Sequence, residues 1–149
     1  MKNIVFLFVL IFVGSVVLAG EKNIPEGVDG FNGTIEGEIT KKNDGSLEIK
    51  VSAVKNVWKK NTAKNAENLV GKTIVVNGGW HKNEKTGKFE PNQNHINFIK
   101  NVSLGKITLE IQTGDGDRFH ITELNKEQRE IANPEKKKDE PNKDGPKKD

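Results

Sequence analysis

The stretch Phe31-Asn32-Gly33-Thr34-Ile35-Glu36-Gly37-Glu38-Ile39-Thr40 decides how this chain reads. Phe31, Gly33, Ile35, Gly37 and Ile39 alternate with Asn32, Thr34, Glu36, Glu38 and Thr40, the period of two that marks a half-buried strand. Glycines on the apolar face signal sharp bending or close backbone approach, as in a small barrel. Lys41 to Ser46 then supplies a hairpin loop with Asp44-Gly45 as its turn. The second strand keeps the alternation, with Leu47, Ile49, Val51 and Ala53 inward and Glu48, Lys50 and Ser52 outward. It runs on to Val57 and Trp58, long enough for a bulge or a bend.

Further along, Lys59 to Leu69 loses the alternation and reads as a loop with one helical turn near Ala63–Glu67. Val70 to Asn77 is a third strand, with Ile74-Val75-Val76 apolar on both faces. Residues 78–94 form a polar connection of 17 residues. Asn94 is placed to cap a short helix from Ile96 to Val102, with Ile96, Ile99 and Phe98 toward the core. Lys106 to Thr113 and Arg118 to Glu123 form a second hairpin across Gly114-Asp115-Gly116-Asp117. Asn125-Lys126-Glu127-Gln128 has the form of a capping box that opens a last helix.

The expected fold is therefore mainly β, in the order β-β-β-α-β-β with a short C-terminal helix. This order resembles the OB-fold, a five-stranded Greek-key barrel. Gly33, Gly37, the Lys41–Ser46 hairpin, Gly71 to Val76 and the Lys106–Glu123 hairpin carry the resemblance. It is similar in architecture to small exported bacterial OB-fold proteins, and it covers about Gly30 to Leu124. The resemblance implies a ligand face across strands two and three, here Glu48, Lys50, Ser52 and Val54 with Thr73, Val75 and Asn77. That face would lie between the loops Lys41–Ser46 and Gly114–Asp117.

The flanks differ in kind from this core. Lys2 precedes an apolar run of ten residues, Ile4–Val13, too short to cross about 30 Å of hydrocarbon at about 1.5 Å per residue. Small residues follow, ending at Ala19-Gly20, and then the charged Glu21-Lys22. This is the pattern of a secretory signal peptide over residues 1–19, cleaved near Ala19, with an uncleaved anchor as the alternative. Residues 20–29 read as a linker and 30–132 as the barrel domain. Residues 133–149 hold three of the five prolines, six Lys and five acids, a composition that cannot bury enough surface to order itself. The mature chain then carries no transmembrane helix, and the expected location is periplasmic or extracellular.

Composition narrows the functions. The 149 residues contain no cysteine, which excludes disulfides, thiol nucleophiles and cysteine-ligated metals. The net charge of +3 is not a basic domain: 16 Lys and Arg face 14 acids between Asp29 and Ala132. Only Arg118 and Arg129 supply the guanidinium that reads phosphate and guanine bidentately.

Two patches stand out. Lys55, Lys59 and Lys60 surround Trp58; an aromatic in a basic stretch suits an anionic surface, and it equally suits a tryptophan packed under a loop. Trp80, His81 and Phe89 lie on the long polar connection, either as a binding loop or as staples holding it down. If strands two and three pair antiparallel, Trp58 and Trp80 stand about 25 Å apart at opposite ends of the ladder and share no pocket. His81, His95 and His120 lack helical metal spacing, and Asp115 with Asp117 lacks the rest of a calcium loop. Glu36, Glu38 and Glu48 are placed as a solvated strand face, although carboxylate pairs can hydrolyse glycosides. No nucleophile elbow, phosphate loop or zincin helix is present.

The sequence therefore points to an exported, non-enzymatic binding or accessory module without a cofactor. Its expected partner is an envelope protein, a glycan, a small ligand or an anionic surface. The alternatives are an envelope-associated structural protein and a single-stranded nucleic-acid binder working through Trp58, the latter disfavoured by the balanced charge.

Overall fold

The computed structural model describes residues 22–135. The signal-peptide segment and nearly all of the Lys-rich tail lie outside the described residues. Two long strands begin the domain, β1 (Asn32–Asn43) and β2 (Ser46–Val57). A 3-10 turn follows at Ala66–Leu69, one turn later than the sequence suggests. Next come β3 (Thr73–Asn77), β4 (Trp80–Lys82), β5 (Phe89–Pro91) and the helix α1 (Gln93–Asn101). The chain then forms β6 (Gly105–Gly114), β7 (Arg118–Ile121) and the helix α2 (Lys126–Ala132).

Five strands close a barrel in the order β1-β2-β3-β7-β6, with β6 returning to β1. Every pairing is antiparallel except β3 with β7, which is parallel. The fold is mainly β and OB-fold-like, as the strand order predicts. Short strands would close poorly at this size, and β1 and β2 meet the demand by coiling. Their pairing shifts register at Thr34/Ile35, Glu36/Gly37 and Ile39/Lys41, and each bulge adds local twist. Gly33 and Gly37 sit at these bends because β2 comes too close for a side chain. A Cβ on Gly37 would lie 2.6 Å from the Lys50 carbonyl oxygen, and one on Gly33 would collide with that of Asn56.

The core follows the alternation as far as Val51. Past the bulge at Glu36/Gly37 the faces of β2 exchange, so Val54, expected outward, lies opposite buried Ile35 and packs against the core, while Ala53, expected inward, lies opposite Glu36. Ile35, Ile39, Leu47, Ile49, Val51, Ile74, Val76, Leu109, Ile111, Phe119 and Ile121 are all buried. Helix α1 seals one end with Phe98 and Ile99 buried, while Ile96, expected inward, is only half-buried. Its cap is Asn92 rather than Asn94: the Asn92 side chain accepts from the Asn94 N–H. The helix thus begins a turn earlier than the apolar pattern alone indicates, because residues 93 and 94 are polar and leave no mark in that pattern. The capping box of α2 forms as read, with Asn125 and Gln128 exchanging bonds of 2.9 Å.

Residues 23–28 are not a bare linker. Val28 is fully buried in the core and Ile24 packs against it. The side-chain amide of Asn23 donates to the Val75 carbonyl at 3.0 Å and accepts from the Val75 N–H. It stands in for a strand where β3 and β7 diverge, since those two pair only at Val76↔Phe119 and Asn77↔His120. The Asp117 carboxylate accepts from the backbone N–H groups of Asn23 and Ile24 at 2.7 and 2.8 Å. The start of the domain is thereby tied to the β6–β7 turn.

Candidate functional site

Six aromatic side chains fall within the described residues, and they divide cleanly. Phe31, Phe98 and Phe119 are buried core. Trp58, Trp80 and Phe89 are 43%, 59% and 71% exposed, and all three line a single open cleft of about 910 Å³. Leaving large aromatic area in water forgoes its burial energy, about 25 cal/mol per Å². Convergence of every exposed ring on one cleft therefore calls for an explanation other than packing.

The cleft runs across the outward face of β6 and β7. The register sets its floor: Asn32 opposes Gln112, and Gln112 opposes His120. Asn32 donates to Gln112 at 3.3 Å, and the Nδ1–H of His120 donates to the Gly78 carbonyl at 3.2 Å. The His120 ring lies over Gly114, where an added Cβ would come within 2.9 Å of its Nε2. Glu110, Thr122 and Glu123 continue the floor, with Asp115 and Arg118 at one end. The Thr122 hydroxyl oxygen is buried and has no hydrogen-bond partner.

One wall is the turn after β2. The Trp58 N–H donates to the Asn32 carbonyl, and the Asn61 N–H donates to the Trp58 carbonyl, both at 2.8 Å. Asn61 then accepts the Asn32 N–H at 3.1 Å, so the tryptophan stands on a pinned turn. The opposite wall is the β4–β5 hairpin, which lies within the polar connection of residues 78–94. Its register pairs Trp80 with Pro91 and Lys82 with Phe89. Residues i and i+2 share a face and so do cross-strand partners, which puts Trp80 and Phe89 diagonally on one side. His81 and its partner Glu90 take the other side. Asn83 organises the hairpin tip, accepting the N–H groups of Lys85 and Thr86 and donating to Glu90.

The hairpin is anchored at Gly78-Gly79. His95, buried on α1, accepts the Gly79 N–H on its Nδ1 at 3.0 Å. Its pKa is lowered from 6.5 to about 4, chiefly by burial and secondarily by the charge of His81. Neutral imidazole is the form that can accept this bond. The Gly79 carbonyl in turn accepts the Asn92 N–H at 2.8 Å.

Four of the seven residues singled out from the sequence, Trp58, Lys60, Trp80 and Phe89, line the cleft. Lys55 does not; it pairs with Glu36 at 3.3 Å on the barrel wall. Lys59 and His81 are exposed outside it. The expectation that Trp58 and Trp80 share no pocket is incorrect. β2 pairs with β3 only through its first half, Ser46 to Lys50. Its second half keeps β1 alone as a strand partner, and barrel closure through β6 and β7 brings the two tryptophans to the same cleft. The face across β2 and β3 that the OB resemblance points to carries no aromatic ring. A second groove of about 690 Å³ opens nearby, between Glu36, Glu38, Lys50, Ser52, Lys106 and Thr108. Glu48, on the same strand as Lys50 but outside that groove, pairs with Lys41 at 3.5 Å.

Asp115 lines the cleft, while the Asp117 carboxylate is engaged with Asn23 and Ile24. Among the described residues no group of three or more His, Asp or Glu is placed to hold a metal ion. No helix among them is long and apolar enough to cross a membrane. Fold and site thus define an OB-like barrel with an aromatic-walled, polar-floored cleft. Comparison with protein-family models, with curated proteins and with solved structures finds no match to this chain.

Proposed function

We propose that this protein is an exported, non-enzymatic binding module that holds its ligand in the cleft between Trp58 and the β4–β5 hairpin. The observation that carries the reading is the convergence of Trp58, Trp80 and Phe89 on one concavity. Binding sites combine such apolar surfaces with a few placed polar groups, and Asn32, Gln112 and His120 supply those here. Export rests on the basic start, the short apolar run and the small residues before Glu21.

The two tryptophans are the only ones in the chain, and there is no tyrosine. Intrinsic fluorescence therefore reports the cleft directly. A panel of oligosaccharides, peptides and single-stranded DNA should include a ligand that shifts this emission saturably without being turned over. Isothermal titration should find that ligand's affinity lost when Trp58, Trp80 and Phe89 are changed together to Ala. An affinity unchanged by the triple substitution would place the site elsewhere, and product formation would end the non-enzymatic reading.

A further inference from the structure

We infer that the ligand of this cleft is a neutral oligosaccharide of at least two sugar rings; the inference rests on the binding reading above. The lining groups constrain the chemistry. Glu110, Asp115 and Glu123 are carboxylates that only accept hydrogen bonds. A ligand lying against them must donate. Lys60 and Arg118 only donate, so the same ligand must also accept. Asn32 and Gln112 use one bond on each other and keep further donor and acceptor capacity. Above this mixed floor stand three exposed ring faces.

Sugar hydroxyls donate and accept at the same atom, and the faces of pyranose rings carry C–H groups that lie flat on aromatic rings. Other ligands meet only part of the lining. A polyphosphate backbone would face three carboxylates against two cations, with no basic groove to release counterions. A proline-rich segment stacks on aromatic walls but brings few N–H groups, which would leave the carboxylates desolvated without donors. An extended peptide needs an open sheet edge. The barrel is closed and the gap beside β3 is filled by Asn23, which leaves at this cleft only the three-residue edges of the β4–β5 hairpin, too short to hold an extended strand.

The width of the cleft sets the ligand's length. From Trp58 the wall passes through Asn32 on β1, Gln112 on β6 and His120 on β7 to Asn77 on β3. Four strand spacings of about 4.8 Å make roughly 19 Å along the curved barrel wall, the path that a ligand lying on this floor would follow from one aromatic wall to the other. A single sugar ring reaches one aromatic wall and a chain reaches both.

The test uses tryptophan fluorescence and calorimetry on the full mature chain. The probes are cello-, malto- and chito-oligosaccharides as monomer, dimer and hexamer, with an oligothymidine and a proline-rich peptide for comparison. At least one neutral series should bind with affinity that rises with chain length and is unchanged between low and high salt. Trp58→Ala and Trp80→Ala should each weaken the hexamer by about tenfold, the scale of one lost aromatic contact, while both variants melt with the wild type. Binding of the oligothymidine or the peptide, lost on the same substitutions and with no neutral sugar bound, overturns the glycan assignment and leaves the cleft as the site. If no probe gives a saturable change, or if binding ignores the aromatic substitutions, both readings fall.

Discussion

The buried imidazole of His95 and the backbone N–H of Gly79 meet at 3.0 Å, so the wall that carries Trp80 is held by a group whose charge depends on pH. Burial keeps His95 neutral down to about pH 4, whereas the unfolded chain takes up this proton near 6.5. In between, the unfolded state binds more protons than the folded one, and stability rises with pH. The contribution of neutral His95 is complete above about 6.5 and is lost progressively as pH falls toward 4. Thermal melts across that window should show the midpoint falling. His95→Gln, which keeps a hydrogen-bond acceptor and cannot titrate, should flatten the slope in the upper part of the window, above the carboxylate range. An unchanged slope would place the pH dependence in other groups.

Thr122 offers a test of opposite sign. Its buried hydroxyl oxygen has no partner, and an unsatisfied buried polar atom costs about 1–3 kcal/mol. Thr122→Val keeps the shape and removes the hydroxyl. Denaturant unfolding should find this variant as stable as wild type or more stable by about 1 kcal/mol. A clear loss of stability would mean that the hydroxyl makes a bond in solution.

Asn23 should matter more than its position near the start of the domain suggests. Asn23→Ala removes both side-chain bonds to Val75 and reopens the gap between β3 and β7. A loss of about 1–2 kcal/mol is expected, measurable by urea titration. Hydrogen exchange at the Val75 amide should quicken in the same variant. A free energy within experimental error of wild type would show the strap to be dispensable.

Export makes its own prediction. The chain expressed from Met1 should be recovered outside the cytoplasm with Gly20 as its first residue. Intact mass of the secreted or periplasmic protein decides it. A cytoplasmic protein that retains residues 1–19 would remove the export half of the proposal.

The barrel was legible because its strands are long and half-buried. Ile35, Ile39, Leu47, Ile49, Leu109 and Ile111 print an alternation that only a strand explains. The β4–β5 hairpin was not, because strands of three residues are too short to show a period. The role of Asn23 was hidden because a side-chain amide acting as a strand leaves no pattern at all. The cleft itself was hidden in a different way. Trp58, Trp80 and Phe89 were each visible, but their meeting depends on closure through β6 and β7, whereas along β2 and β3 alone the tryptophans stand at opposite ends.

The pairing of β1 with β6, Asn32 opposite Gln112, also orders events in time. The first strand cannot find its second neighbour until some eighty further residues exist, and the β3–β7 seam waits on Phe119. Folding dominated by such distant contacts runs in milliseconds to seconds rather than microseconds. A chain emerging from the ribosome therefore stays open until nearly the whole domain has been made. Under the proposed export, that delay would let the chain cross a membrane pore unfolded and seal its barrel on the far side.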